Sequence, residues 1–319
     1  MKVSILVPVY NAESFITRCA ISLFEQTYNE IEYVFVNDCS IDKSMSLLYE
    51  ITEKYPHRKQ QIKIVNNQRN QGIAKVRNIL LENATGDYIY FVDSDDYIEI
   101  TAIESLLDVA IKTQSDIVRY NYYEIQENNI KYRVENKLFS TKQQLLSDAI
   151  SSQSGVDSMW KLFVKRELFT SNKLTFTLGI NGCEDYIMSI KLFFYANKIT
   201  DINEAYYYYT VTGNNQSMTK NISSFLIDRM NAIEEIRLFL IKKHVFDDFK
   251  TALFHRILLC KQGYLINKKH FNLEYYMTTY PETNTIWRHF TYGRLEKMLF
   301  WLAEHNFTLL IKLYYRFCN

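Results

Sequence analysis

Proline and glycine are scarce, three and eight residues in 319. That composition excludes collagen-like, low-complexity and linker-rich chains. The few glycines are candidates for special backbone positions. Five cysteines (Cys19, Cys39, Cys183, Cys260, Cys318) are scattered, with no C-x-x-C pair. Scattered thiols in a chain this long fit a reducing compartment and argue against a disulfide framework. No run approaches the ~20 apolar residues of a membrane span. Net charge is only +1, so no whole-molecule field points to nucleic acid. The opening MKVSILVPVYN carries one lysine and no cleavage pattern, and it reads as a strand, not a secretion signal. Histidine is absent between His57 and His244. His244, His255, His270, His289 and His305 show no metal-ligand spacing and are expected at the surface or in caps.

Against these absences, 47% of the residues are hydrophobic and 23% charged, as in a soluble globular protein with a sizeable core. The charge is uneven. From Lys220 onward 15 Lys and Arg face 9 Asp and Glu, a net +6 that leaves about −5 before it. An acidic first part and a basic last third suggest two functional regions.

The first hundred residues alternate. VSILVPVY (3–10), IEYVFVND (31–38), QIKIVNN (61–67) and DYIYFVD (87–93) are apolar runs of the kind buried on both faces of a parallel sheet. Between them AESFITRCAISLFEQ, KSMSLLYEITEKY and IAKVRNILLENA repeat apolar residues at helical spacing. Ser40 or Asp42 is the expected cap of the second helix, and Gly86 the expected stop of the third. The alternation predicts an α/β fold with a mostly parallel central sheet. A helix over 101–114 and a strand over 116–126 follow. Residues 127–150 are polar and weakly patterned. Beyond 221 the pattern becomes helical, as in FLIDRMNAIEEIRLFLIKKH and FKTALFHRILLCKQGYLI. The expected division is 1–220 and a helical 221–319.

Ligands of an open parallel sheet bind beyond the carboxyl ends of its strands. Polar residues stand there: Asn11, Asp38, Asn66, Asn67, Asp93 and Asp95. In an extended chain Asp93 and Asp95 share a face, and two carboxylates there can hold a hard divalent cation with a ligand phosphate. A surface acidic turn is the plainer alternative. A calcium loop fails because Tyr97 and Ile98 stand at its fifth and sixth positions. A phosphatase aspartyl nucleophile would more naturally follow the first strand, where the sequence is VPVYN. Neither a G-x-G-x-x-G nor a phosphate loop follows that strand. A nucleotidyltransferase would need glycines in VPVYNAES, which has none.

Four blocks, VSILVPVYNAESF, VNDCSIDKS, NQGIAKVRNILLENATGDYIYFVDSDD and GCEDY, together resemble family 2 glycosyltransferases of the GT-A fold. The resemblance covers roughly residues 1–220. It implies an inverting transfer from a nucleotide-sugar donor, most simply a UDP-sugar, to a saccharide or lipid-linked saccharide in bacterial surface-polysaccharide synthesis. It implies that Pro8, Tyr10, Asn11 and Glu13 line the base pocket, that Asp38 contacts base or ribose, and that Gly72, Lys75 and Arg77 lie beside the nucleotide. Asp93 and Asp95 become the D-x-D pair, with Asp93 nearer the ribose and Asp95 on a divalent cation (Mn²⁺ or Mg²⁺), while Asp96 tunes or caps the next turn. Trp160, Lys161 and Glu184 fall on the acceptor side, and Asp185 is the catalytic base. Two departures stand out. Cys39 replaces the usual glycine. YYYYTVTGNNQSMTK lacks the histidine or arginine that many relatives place after that strand, and Lys220 is the candidate substitute. The loop 212–218 is read either as a lid or as an ordinary surface loop. A non-catalytic sugar-nucleotide-binding scaffold is the alternative. Expected partners also include a second copy of the chain, and the expected location is cytoplasmic.

Beyond the resemblance, Arg288, Arg294, Lys297, Lys312 and Arg316 alternate with Trp287, Phe290, Leu299, Phe300, Trp301, Phe307, Leu310 and Tyr314. Such a segment either lies on an anionic membrane surface or packs as a helical subdomain.

Overall fold

The computed structural model describes residues 1–126, 129–133, 139, 141–151, 158–180, 182–211, 222–267 and 271–317. The first part alternates as its pattern requires: β1 (Val3–Val9), α1 (Ile16–Phe24), β2 (Ile31–Asn37), α2 (Ser44–Lys54), β3 (Ile62–Asn66), α3 (Ile73–Asn83) and β4 (Tyr88–Phe91). All seven residues of β1 are buried, because the strand is covered on both faces and paired to β2 and β4. Pro8 is tolerated in it because pairing to β4 stops at Leu6–Phe91. Beyond that point β1 has only β2 beside it, and a strand open on one side can lack a donor. Neither Ser40 nor Asp42 is the cap of α2: Lys43 holds that position without a side-chain cap bond, and Asp42, one residue earlier, accepts from Ser44 N at 3.0 Å through its Oδ1.

The later elements are β5 (Tyr97–Ile98), α4 (Ala102–Thr113), β6 (Ile117–Gln126), β7 (Asn129–Arg133), α5 (Lys142–Ser151), β8 (Leu162–Lys165), α6 (Glu167–Ser171), α7 (Glu184–Tyr195) and β9 (Ile199–Thr210). The weakly patterned 127–150 thus contains a strand and a helix. The described residues form one nine-stranded sheet in the order β3-β2-β1-β4-β8-β6-β9-β5, with β7 on β6. Strands β1 to β4, β6 and β9 run one way; β5, β7 and β8 oppose them. The mostly parallel sheet is therefore present, with an antiparallel seam at β8 that strand–helix alternation does not announce.

Helices α8 (Ile222–Lys242) and α9 (Phe246–Lys261) follow, then α10 (Gly263–Ile266), α11 (Leu273–Thr278), α12 (Arg294–Glu304) and α13 (Thr308–Phe317). Ile233, Ile236 and Leu240 of α8 and Leu253 and Ile257 of α9 join the core that also holds Leu6, Val34 and Ile187. A separate cluster of Leu265, Tyr276, Leu299, Phe300 and Ile311 holds the last helices together. His255, expected at the surface or in a cap, is buried and stacks on Phe290 at 3.5 Å. Burial, then the neighbouring Arg256 charge, lowers its pKa to about 4.

Gly86 does not cap α3. The helix ends at Asn83, and Ala84 is already extended. Gly86 is instead a point of close approach, where an added Cβ would lie 2.7 Å from Ser4 N and Oγ and 2.9 Å from Lys2 O. Gly86→Ala must push β1 and β4 apart, and the expected loss is about 1–3 kcal/mol. Urea unfolding measures it; a wild-type midpoint would show that the start of β4 can shift freely.

Candidate active site

The expected crevice lies where β1, β2, β3 and β4 end. Asn11 adopts a left-handed φ of 48°, its Oδ1 accepts from Ile41 N at 3.0 Å, and its own N donates to Ser40 Oγ at 3.1 Å. Glu13 Oε2 accepts from Lys43 N at 3.1 Å. These side chains therefore tie the loop after β1 to the loop after β2. Tyr10, just before Asn11, is half exposed. Asp38 is 3% exposed. Its Oδ1 accepts from Asn67 Nδ2 (2.8 Å) and Gln71 N (2.9 Å), and its Oδ2 from Gly72 N (3.0 Å). The structure uses this carboxylate to anchor the loop that enters α3. Gly72 sits there at φ 81°, a conformation that suits glycine. Cys39 keeps a φ of 63°, so the turn survives the loss of the usual glycine at a strain of roughly 1–2 kcal/mol. Lys75 and Arg69 face Leu178 and Gly179 across a cleft of about 470 Å³.

After β4 the chain does not stay extended. Asp96 N donates to Asp93 O at 3.1 Å, so a turn, not a shared strand face, gathers the carboxylates. Asp96 is 1% exposed; its Oδ2 accepts from Tyr207 Oη and its Oδ1 from Thr210 N, both at 2.7 Å. The Tyr207 hydroxyl in turn accepts from Asp93 N at 3.1 Å. Asp96 thus fastens the acidic turn to β9. Burial, then repulsion from Asp93, raises the Asp95 pKa to about 6. Burial also raises Asp93, against the opposing pull of Arg77. Asp96 is raised well above the usual carboxylate range, by burial and then by Asp95 and Asp93.

Arg77 is the junction of the site. It is 5% exposed. Its guanidinium lies 3.5 Å from Asp93 Oδ1 and 3.1 Å from Glu184 Oε1, and it pairs directly with Asp185 Oδ1. Glu184 Oε2 accepts from Gly182 N at 2.7 Å, and Asp185 Oδ2 accepts from Met159 N at 3.1 Å. Acidic residues in the first turn of α7 also suit its dipole. The structure brings together Arg77, Asp93, Glu184 and Asp185, which the sequence scatters over a hundred positions.

Trp160 is packed among aromatic rings. It is 6% exposed and stacks on Tyr207 (4.5 Å, 17°) and Tyr209 (5.4 Å, 9°), with Tyr122 edge-on at 4.9 Å. Lys161 Nζ lies 5.0 Å from the rings of both Tyr122 and Trp160. The tyrosine run follows strand alternation: Tyr207 and Tyr209 meet Trp160, while Tyr208 stacks on Tyr97 and Tyr123.

Arg18 was not legible as a site residue. From α1 it donates to Asp95 O (3.1 Å) and Thr210 Oγ1 (2.8 Å), with its guanidinium 4.3 Å from the Tyr97 ring centre. It places a positive charge beside the acidic turn, although β9 is followed by neither histidine nor arginine. The signal was a lone charge in an otherwise uncharged helix. The loop 212–218 and Lys220 lie outside the described residues. Among the described residues no group of three or more His, Cys, Asp and Glu forms a ready metal cage. The acidic turn offers one or two carboxylates, the donor set of a cation shared with a phosphate ligand.

Comparison with known proteins bears on this site. Residues 4–169 match the family described as Glycosyl transferase family 2. The uncharacterized glycosyltransferase EpsJ of Bacillus subtilis is 32% identical over 212 residues, 65% of this chain and 60% of that protein; the chain thus spans about three fifths of that relative's length. The crystal structure of S. aureus TarS 1-349 in complex with UDP-GlcNAc superposes with a TM-score of 0.72 at 23% identity, over 99% of this chain and 92% of that one. The mannosyltransferase PcManGT from Pyrobaculum calidifontis, in complex with GDP-Man and Mn²⁺, shares the fold at a TM-score of 0.54 and 14% identity, over 100% of this chain and 88% of that one.

Arg77→Met leaves three carboxylates around one buried cavity. The expected cost is about 3–5 kcal/mol at pH 7.5. Without the guanidinium Asp93 loses the charge that holds its pKa down, so the deficit is full at high pH and shrinks as falling pH protonates that carboxylate. Urea unfolding at pH 7.5 and 5.5 checks this. A deficit independent of pH would mean that packing, not charge, holds the cluster.

Proposed function

Because the chain belongs to glycosyl transferase family 2, we propose that it is an inverting glycosyltransferase. It moves a sugar from a nucleotide-sugar donor, a UDP-sugar, to a saccharide hydroxyl of a bacterial surface polymer such as capsule, exopolysaccharide or lipopolysaccharide. The observation that carries the reading is Arg77, which joins Asp93 at the strand end to Asp185 on α7. The donor-side carboxylate and the candidate base are thereby held within the span of one guanidinium.

In this reading Tyr10 and the loop bearing Asn11 and Glu13 receive the nucleoside, and Asp38 acts indirectly by holding the loop of Gly72. Asp185 takes the proton of the acceptor hydroxyl as that oxygen bonds to the anomeric carbon and the bond to the diphosphate breaks. Met159 N and Arg77 fix the two oxygens of Asp185, so the base is oriented before substrate arrives. No covalent intermediate is needed. Asp95, with Asp93, would hold a divalent cation, Mn²⁺ or Mg²⁺, which when bound neutralises charge on the leaving diphosphate. Burial raises both carboxyls, and their mutual repulsion adds to the shift at Asp95, a strain that a bound cation would relieve. Trp160 acts as the wall behind the base, and Lys161 and Glu184 complete the acceptor side. Residues 1–220 serve as the catalytic unit and 221–319 as its helical companion. A cytoplasmic setting suits the described cysteines, none of which is paired.

Thermal unfolding with UDP, UDP-sugars and Mn²⁺ tests the donor side, since a ligand of the folded state raises the midpoint. The expected result is a shift with UDP that requires the cation and is lost in Asp95→Ala. Asp185→Asn should keep that shift and lose roughly 10²–10⁴-fold in transfer; near-normal turnover would remove Asp185 as the base. With the Asp95 pKa near 6, the cation-dependent part of the shift should weaken as pH falls from 7 to 5, because protons compete for the carboxylate. A shift constant over that range would place the cation elsewhere.

A further inference from the structure

Exposed large apolar side chains are scattered singly over most of the surface, which is ordinary. Between residues 295 and 310 they are not. Leu295, Met298, Trp301, Phe307, Leu309 and Leu310 are 43–68% exposed. Leu295, Met298 and Trp301 recur every third residue and share one face of α12. The Trp301 ring stacks on His305 at 4.4 Å and lies 5.5 Å from Phe307, which carries the strip to the start of α13. These same helices bury a different set, Leu299, Phe300, Leu302, Ala303 and Ile311. Their inward faces are thus already satisfied, and the outward strip is surplus to folding.

The exposed charges beside the strip have one sign. Arg294, Lys297 and Lys312 are exposed, and among the described residues none of them forms an ion pair. The acids of α12 are committed: Glu296 accepts from Gly293 N at 2.7 Å, and Glu304 pairs with Arg288 at 2.6 Å and accepts from Trp287 Nε1 at 3.3 Å. An apolar strip bearing a tryptophan and rimmed by free cations is complementary to a surface that is apolar beneath and anionic on top. Two-fold pairing with a second copy would set those cations against their own equivalents. No described helix is long and apolar enough to cross a membrane, so the contact lies in the interface plane.

We infer that the outward face of α12 and the start of α13 docks on an anionic lipid surface, with Trp301, Phe307 and Leu309 entering the headgroup layer and Arg294, Lys297 and Lys312 meeting lipid phosphates. The inference goes beyond the proposed reaction and does not depend on it.

The test is sedimentation of the full chain with phosphatidylcholine vesicles, with and without phosphatidylglycerol, read also by tryptophan emission. The expected result is binding that requires phosphatidylglycerol, weakens with salt, and blue-shifts the emission. Trp301→Ser combined with Leu309→Ser should abolish the shift, and Lys297→Glu combined with Lys312→Glu should lower partitioning roughly tenfold or more. All four positions are exposed, so an unchanged unfolding midpoint shows that the variants are folded. Equal soluble fractions with both vesicle types would overturn the inference. So would a dimer in light scattering that Trp301→Ser dissociates while vesicles leave the protein in solution, because the strip would then belong to a second copy. Neither readout involves nucleotide or sugar, so failure here leaves the proposed reaction standing.

Discussion

One buried cation organises the molecule's working end. Arg77 leaves α3, passes under the end of β4 and meets Asp93, Glu184 and Asp185. Each carboxylate alone would resist desolvation, and together they would repel. The guanidinium offsets only part of their charge, so the remaining groups need further partners. Glu184 finds Gly182 N, Asp185 finds Met159 N, and Asp96 finds Tyr207 and Thr210. These requirements set where α7 begins, where the turn at Met159 lies and where β9 ends. A charge problem has thereby become a positioning device.

The opposite wall has the complementary sign. Arg69 and Lys75 line the cleft beside the first turn of α3, and Arg18 stands over the acidic turn from the other side. Basic side chains thus stand both beside the acidic turn, on α1, and along the cleft at the start of α3.

The parallel half of the fold was legible because β1, β2 and β4 are buried on both faces and therefore write continuous apolar runs. The antiparallel β8 was not, since LFVK looks the same whichever way it pairs. Asp93 and Asp95 could be singled out by chemistry and spacing, and Asp185 only through the resemblance that GCEDY carries. The roles of Arg77 and Asp38 could not, because their partners lie up to a hundred residues away and local pattern carries no such distance. Gly86 was read as a helix stop since glycine commonly is one; its real reason, the backbone of Ser4 beneath it, is a tertiary fact. The stacking of Trp160 on Tyr207 and Tyr209 was not legible either, because no local signal says that alternate tyrosines of β9 will meet it. The stripe of α12 was visible as amphipathic, but only the structure separates Leu299 and Phe300, which are core, from Trp301, which is not.

The antiparallel seam has a consequence for how the chain is made. Strand β4 completes the four-stranded parallel half, yet its far edge waits for Tyr88, Ile89 and Tyr90 to pair with Lys165, Val164 and Phe163. During synthesis the intervening ~70 residues take roughly 4–14 s to emerge at ~5–20 residues per second. For that interval the nascent protein carries an unpaired apolar edge of the kind that recruits other strands. The ribosome-bound intermediate is therefore the state most exposed to aggregation, and arrival of β8 closes that window.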